Sequence, residues 1–321
     1  MTESWERVRR ILGAAGIPPA RLGRLRPMGG GTYNTVEELT LTDGSRYVLK
    51  TAPTVPGLSH ERRLLVSEAD FYGAAAEAGV AAPRVVALDG DALLMTRCPG
   101  EPWDDSLADT EVPALRTELG RQLAHLHEIT GPGFGYPSGA LGPLAPDWRA
   151  AFTTLYDAVL DDARRYQAWL PLPADDIART ARAAFTALDE ITVPRAVHFD
   201  LWQGNILVDR TGDTPRIGGL IDGERMFWGD PLADFVSLAL LGDIRKDDAF
   251  LAGYREAGGR VEFDRSARLR YALYRSYLYL IMLAEAVPRE FGPEENRWRR
   301  ERVGPELLAA LGEIDGTAST T

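Results

Sequence analysis

Asp200 stands five residues before Asn205 in the run His198-Phe199-Asp200-Leu201-Trp202-Gln203-Gly204-Asn205, and Asp222 follows in Ile221-Asp222-Gly223. A carboxylate and an amide oxygen on one short loop can divide the labour of phosphoryl transfer, the first accepting a hydroxyl proton and the second holding a magnesium ion. On that reading Asp200 is the catalytic base, and Asn205 and Asp222 are metal ligands. Aspartate and asparagine also favour turns through local backbone hydrogen bonds, so neither residue decides alone. The ordered set does, because each member closes or follows a short apolar run.

Those runs, residues 196–197, 206–208 and 217–221, read as brief strands that pin the loop. Upstream, Gly29-Gly30-Gly31-Thr32-Tyr33-Asn34-Thr35-Val36 follows the kinase phosphate-loop pattern G-x-G-x-x-G-x-V, with Asn34 in the third glycine slot. Asparagine tolerates a left-handed backbone, so the loop is expected to turn there and aim N–H groups at phosphate oxygens. Triple glycine also occurs in plain hairpin turns; here a hairpin pattern over residues 36–50 ends in Val48-Leu49-Lys50. Only Lys50 and Lys246 are lysines, against 34 arginines among 36 basic residues. A compact ammonium fits between nucleotide phosphates where a guanidinium fork does not. Its acidic partner is expected to be Glu68, ahead of Glu61, on a helix over residues 60–79.

The order of glycine-rich segment, Lys50, Glu68, Pro83, Leu93-Leu94-Met95, His127, His198-to-Asn205, Ile221-Asp222 and Gly229-Asp230-Pro231 resembles the aminoglycoside phosphotransferase family. Choline kinases and homoserine kinase-like enzymes share its plan, and the likeness spans about residues 25–240. The resemblance implies an α+β, two-lobed protein-kinase-like fold. A small N-terminal antiparallel-sheet lobe (1–96) would bind nucleotide, and a larger, mainly helical lobe (97–321) would carry the catalytic loop and acceptor site. It further implies ATP or GTP with Mg2+ as cosubstrates. Gly29, Gly30, Gly31, Thr32, Asn34, Lys50 and Glu68 would order the phosphates, while Met95, Thr96 and Cys98, flanking Arg97, would form the hinge that meets the base. Phe199 sits where the family most often has glycine, and Gly223 where phenylalanine is common. Phe199 is expected to narrow the space beside Asp200.

The bulk properties suit a cytoplasmic enzyme. The chain has 321 residues, 45% of them hydrophobic, enough for a substantial core in two lobes. No apolar run approaches the ~20 residues of a membrane span, and the charged first ten residues lack a secretion core. One cysteine excludes an internal disulfide. The four histidines form no metal pair, and His198 is expected to brace the catalytic loop. A net charge of −11 without a basic stripe argues against nucleic acid and mildly favours a cationic acceptor. Arginine over lysine, with abundant alanine and glycine, points to a GC-rich bacterial genome.

After residue 99 the pattern turns helical, with helices expected at 115–128, 148–169, 174–188, 232–241, 247–257, 266–286 and 294–311, and strands only around the active loop. Residues 131–146 form a long Gly/Pro-rich connection, a binding element or a lid. Residues 316–321 are expected to be disordered. Between Asp222 and Gly229-Asp230-Pro231 there is no room for the long peptide platform of a protein kinase, so the acceptor is a small molecule received by the helical part. Asp230 and Asp234 are expected to cap the next helix. Asp243, Asp247, Asp248, Glu285, Glu290, Glu294 and Glu295 are candidate acceptor groups, most of them solvated. Tyr271, Tyr274 and Tyr277 recur at helical spacing and read as packing rather than substrate recognition. The acceptor reads as an aminoglycoside-like antibiotic or an amino-alcohol, with a metabolic sugar, choline-like or homoserine-like compound as the alternative. An idle nucleotide-binding regulator and nucleotidyl transfer are the rival functions; the chain is expected to act as a monomer or homodimer.

Overall fold

The computed structural model describes residues 2–29, 33–54, 57–104 and 106–318. The first part pairs helix α1 (Thr2–Ala14) with strands β1 (Leu22–Pro27), β2 (Thr35–Leu41) and β3 (Arg46–Thr51), helix α2 (Leu64–Ala78), and strands β4 (Val85–Asp89) and β5 (Ala92–Thr96). The strands form one antiparallel sheet in the order β1-β2-β3-β5-β4. Strand side chains alternate faces. Leu49 therefore joins Val8, Ile11 and Leu12 of α1 in a small core, while Val48 packs against the main core on the other face, which Lys50 shares.

The chain then crosses to β6 (Glu101–Pro102), which pairs with β8 (Ile206–Asp209), itself paired with β9 (Arg216–Leu220). Gly100 makes the crossing, at φ +92° and so close to the partner strand that an added Cβ would lie 2.4 Å from the Val208 carbonyl oxygen; only glycine meets both demands. The helical part holds α3 (Val112–Leu126), α4 (Trp148–Arg165), α5 (Ala174–Arg182), β7 (Arg195–Val197), β10 (Phe227–Gly229), α6 (Asp234–Leu238), α7 (Asp248–Glu256), α8 (Arg265–Ala284), α9 (Pro293–Trp298) and α10 (Gly304–Ala318). A π-helical turn, Arg299–Val303, joins the last two. The result is the expected α+β, two-lobed protein-kinase-like architecture.

Several boundaries differ from expectation for local reasons. The helix expected at 60–79 is a 3₁₀ turn, Ser59–Glu61, followed by α2, because Arg63 adopts φ +60° between them. The one expected at 232–241 shrinks to the five residues of α6, and 174–188 breaks after Arg182 into a 3₁₀ turn. Strands β6 and β10 were not anticipated. The tail is helical through Ala318, with Leu307, Leu311 and Ile314 buried in the main core; residues 319–321 lie outside the described residues. The 131–146 connection is tied down by backbone bonds from Gly131 to Pro194 and between Gly135 and Trp228, with Phe134 and Tyr136 buried. Tyr271, Tyr274 and Tyr277 are all fully buried.

Candidate active site

Strands β7 and β8 hold the loop between them as expected, but the clamp on its backbone is Asp234. Its carboxylate accepts the N–H groups of His198 at 3.1 Å and Phe199 at 2.6 Å, and it lies 2.9 Å from Nε2 of His127. Asp234 is thus no helix cap. Asp230 does cap, accepting the Leu232 N–H at 3.0 Å, and it also accepts hydrogen bonds from Tyr274 and Arg270. The clamp supports a strained loop, since Phe199 has φ +63°, a region that costs non-glycine residues about 1–2 kcal/mol.

Phe199 faces the core rather than open space. Its ring is fully buried against Phe227 and Tyr277, with centroids 5.1 and 5.5 Å away. Burial of the ring offsets the backbone strain. Phe199→Gly should relieve the strain but lose the packing, which costs ~3–5 kcal/mol for a buried phenylalanine. We expect a net loss of roughly 1–4 kcal/mol, read as a lower urea midpoint at an unchanged slope; a gain in stability would show that the strain dominates.

His198 braces the loop from within. Its Nδ1 accepts the Asp200 N–H at 3.2 Å, and its Nε2 lies 2.9 Å from the Ile221 carbonyl oxygen, a pair satisfied by the neutral Nε2–H tautomer. Asn205 donates from Nδ2 to the Asp200 carbonyl at 2.7 Å and to its Oδ2 at 3.3 Å, which leaves the amide oxygen to face elsewhere. Ile221 in turn donates its N–H to the Asn205 carbonyl at 3.0 Å. Asp200, Asn205 and Asp222 are therefore linked through one short hydrogen-bonded path. Burial, against the pull of Arg225, raises the Asp200 carboxyl above its usual range, the direction a proton acceptor benefits from. Two residues on, Trp202 is 47% exposed.

Lys50 reaches this path from the sheet. Its ammonium lies 2.9 Å from Glu68 and 2.7 Å from Glu224, and pairs with Asp222. Burial works against the charge, but Asp222, Glu224 and Glu68 outweigh it and hold the lysine well above its ordinary range. Tyr72, one helical turn after Glu68, donates to it at 2.7 Å. Glu61 turns elsewhere, capping Leu58 and pairing with Arg289.

Glu224 was not anticipated. Asp222 at φ +65° starts a 3₁₀ turn that folds Glu224 back onto Lys50 and Asn34, whose amide donates to it at 2.5 Å. Burial, against the pull of Lys50, pushes the Glu224 carboxyl up to about 8. Carboxylate oxygens of Glu68, Asp222 and Glu224 all lie within 4.8 Å of one another. An all-oxygen donor set of this kind suits a hard cation such as magnesium; here the Lys50 ammonium is the cation that these three carboxylates share.

Asn34 does not take the expected left-handed backbone; its side chain is buried at Glu224 instead. Gly29 is exposed, and Gly30, Gly31 and Thr32 lie outside the described residues. Met95 is buried in β5, paired with Val48. The Thr96 N–H is spent on the Arg84 carbonyl at 2.9 Å, and Cys98 packs beside Gly219, its thiol pushed up to about 11 by burial. Of the proposed acceptor acids, Asp243, Asp247 and Glu295 cap local turns. Among them, Glu285 acts electrostatically on Asp200.

A model described as "Phosphotransferase enzyme family" matches residues 24–274. A relative from Lactiplantibacillus plantarum, "Probable ketoamine kinase", is 28% identical over 290 residues, 86% of this chain and 95% of the relative. Among solved structures, a candidate fructosamine-3-kinase from Thermobifida fusca YX-ER1 aligns at TM-score 0.65 and 22% identity, covering 97% of this chain and 99% of that one. Plasmodium vivax ethanolamine kinase aligns at TM-score 0.67 and 13% identity, covering 96% and 88%. No helix among the described residues is long and apolar enough to cross a membrane.

Proposed function

Because the chain belongs to the phosphotransferase enzyme family and is a kinase with an alcohol group as acceptor, we propose that its acceptor is a sugar-derived ketoamine or a closely related polyhydroxylated amine. The observation that carries this reading is the near full-length similarity to the ketoamine kinase relative. Two local features agree with it. Trp202 offers an exposed aromatic face two residues from Asp200, suited to a sugar ring or a cation, and the net charge of −11 favours an amine.

In the proposed mechanism Asp200 orients the acceptor hydroxyl and takes its proton as the oxygen attacks the γ-phosphorus in line with the departing nucleoside diphosphate. Lys50, ordered by Glu68, neutralises the nucleotide phosphates, and the glycine-rich segment from Gly29 to Asn34 covers them. Asn205 and Asp222, with Glu224 beside them, would hold Mg2+. The metal supplies charge neutralisation of the phosphoryl oxygens. The 1–96 lobe carries ATP or GTP, with Met95, Thr96 and Cys98 at its base, and the 97–321 lobe the acceptor. We take the enzyme to be bacterial and cytoplasmic, acting as a monomer or homodimer.

Aminoglycoside-type antibiotics form the second reading, favoured by the same acidic charge. Mass spectrometry after incubation with Mg-ATP or Mg-GTP and a panel of ketoamines, aminoglycosides, choline, ethanolamine and homoserine tests both. The expected product is a phosphorylated ketoamine with nucleoside diphosphate. Phosphate on an aminoglycoside alone would move the protein to the second reading, and release of diphosphate would make it a nucleotidyltransferase.

A further inference from the structure

Between the end of β3 at Thr51 and the start of α2 at Leu64, the chain leaves its own sheet and seats in the helical part. Leu58 is fully buried in the main core. The Gly57 carbonyl accepts the Tyr166 hydroxyl at 2.5 Å. Ser59 gives its N–H, at 2.5 Å, and its hydroxyl, at 2.7 Å, to the two oxygens of Asp162 on α4. His60, fully buried, stacks on Tyr136 with centroids 5.4 Å apart. Glu61 pairs with Arg289, and Arg63 donates to the Ser138 carbonyl at 3.1 Å. Every one of these partners belongs to the helical lobe, although the segment itself lies between two elements of the nucleotide lobe.

Asp162 anchors this segment. Its side chain is buried, and Arg165 faces it at 2.8 Å, so the carboxylate has both a counter-charge and hydrogen-bond donors. Without it, the part-buried Ser59 N–H and hydroxyl would lose their acceptor, and polar bonds left unmade away from water are costly. Arg63, at φ +60°, then turns the chain from the seated segment into α2. Glu68 stands about one turn into that helix, 2.9 Å from Lys50. A helix moves as a rigid element, so fixing its first turn to the helical lobe fixes where Glu68 stands.

We propose that residues 57–63 form a splint between the two lobes, that Asp162 is its positioning residue, and that the splint sets the Lys50–Glu68 pair before nucleotide arrives. Nucleotide then meets the competent arrangement without first having to populate it. The inference holds for any acceptor and shares with the proposed function only the nucleotide. Hydrogen exchange read by mass spectrometry on the full chain tests it, because local opening and global unfolding give different amide rates. The amides of Leu58, Ser59 and Glu61 are all hydrogen-bonded. In the free protein they are expected to exchange as slowly as those of α8. A non-hydrolysable ATP analogue with magnesium should slow them by less than about twofold.

Asp162→Ala should speed exchange at those amides by about tenfold or more, with α8 changed far less. Nucleotide must then re-form the splint, so calorimetry should show affinity for the analogue weakened about threefold or more, and the analogue should now protect residues 57–61. Asp162→Asn, which keeps an acceptor oxygen for Ser59, should restore most of both. If Asp162→Ala fails to fold, Ser59→Ala carries the test, with exchange faster by about threefold or more at the same amides. Protection of about tenfold or more by the analogue in the wild-type chain would mean that nucleotide sets the pair, and overturns the proposal. Equal acceleration at α8 in the alanine variant overturns it too, as does faster exchange with unchanged affinity. A wild-type chain that binds no analogue would count against the nucleotide reading, and exchange in the free chains alone would then decide the splint.

Discussion

Asp200→Asn is expected to lower turnover by roughly 10²–10⁴-fold while nucleotide affinity stays within about twofold. The replacement is isosteric, and the scaffold around it does not depend on the carboxylate charge. The Asp200 N–H still reaches His198, and an asparagine oxygen can still accept from Asn205. Asp234 continues to clamp the loop through the His198 and Phe199 N–H groups. What disappears is a proton acceptor whose affinity for protons is already raised by burial. Steady-state kinetics with a true acceptor, beside a nucleotide titration, checks both halves. Full turnover in the variant would remove Asp200 from the role of base.

Asp222→Ala should instead abolish most of the magnesium-dependent gain in nucleotide affinity, at least about tenfold, or ~1.4 kcal/mol. The fold should survive, because Lys50 keeps Glu68 at 2.9 Å and Glu224 at 2.7 Å. Removing one carboxylate from a crowded set also relieves repulsion among those left. Removing Lys50 would differ, since three clustered acids would lose their shared partner, the costly way to break a buried pair. Calorimetry with and without magnesium decides the matter. If the metal still tightens nucleotide binding by the wild-type factor, Asp222 is not a ligand.

The elements of the path from Lys50 through Asp222 to Asn205 and Asp200 were legible in the sequence because short strands on either side constrain where each loop residue can go. Glu68 was legible as an acid that a helical stretch after the Lys50 strand offers to the lysine. Glu224 was not. Its position depends on the left-handed backbone of Asp222, which no periodicity reveals, and the pattern appeared complete at Gly223. Asp234 read as a helix cap because acids are common at helix starts, yet its partners lie 35 and 36 residues upstream on another element. Glu61, Arg225, Glu285 and Arg289 come from three distant segments, and long-range charge pairing leaves no local signature. Asn34 misled through its own propensity: its amide was drawn to a buried acid before its backbone needed to turn.

Gly223 lies flush against Phe71 of α2, where an added Cβ would come within 2.3 Å of the ring, and the same ring meets His198 edge-on at 4.6 Å. One phenyl group therefore bolts the Glu68 helix to both segments that bear the reacting carboxylates. In kinases governed by a swinging helix, that seam must slide; here sliding would tear the catalytic loop from its brace.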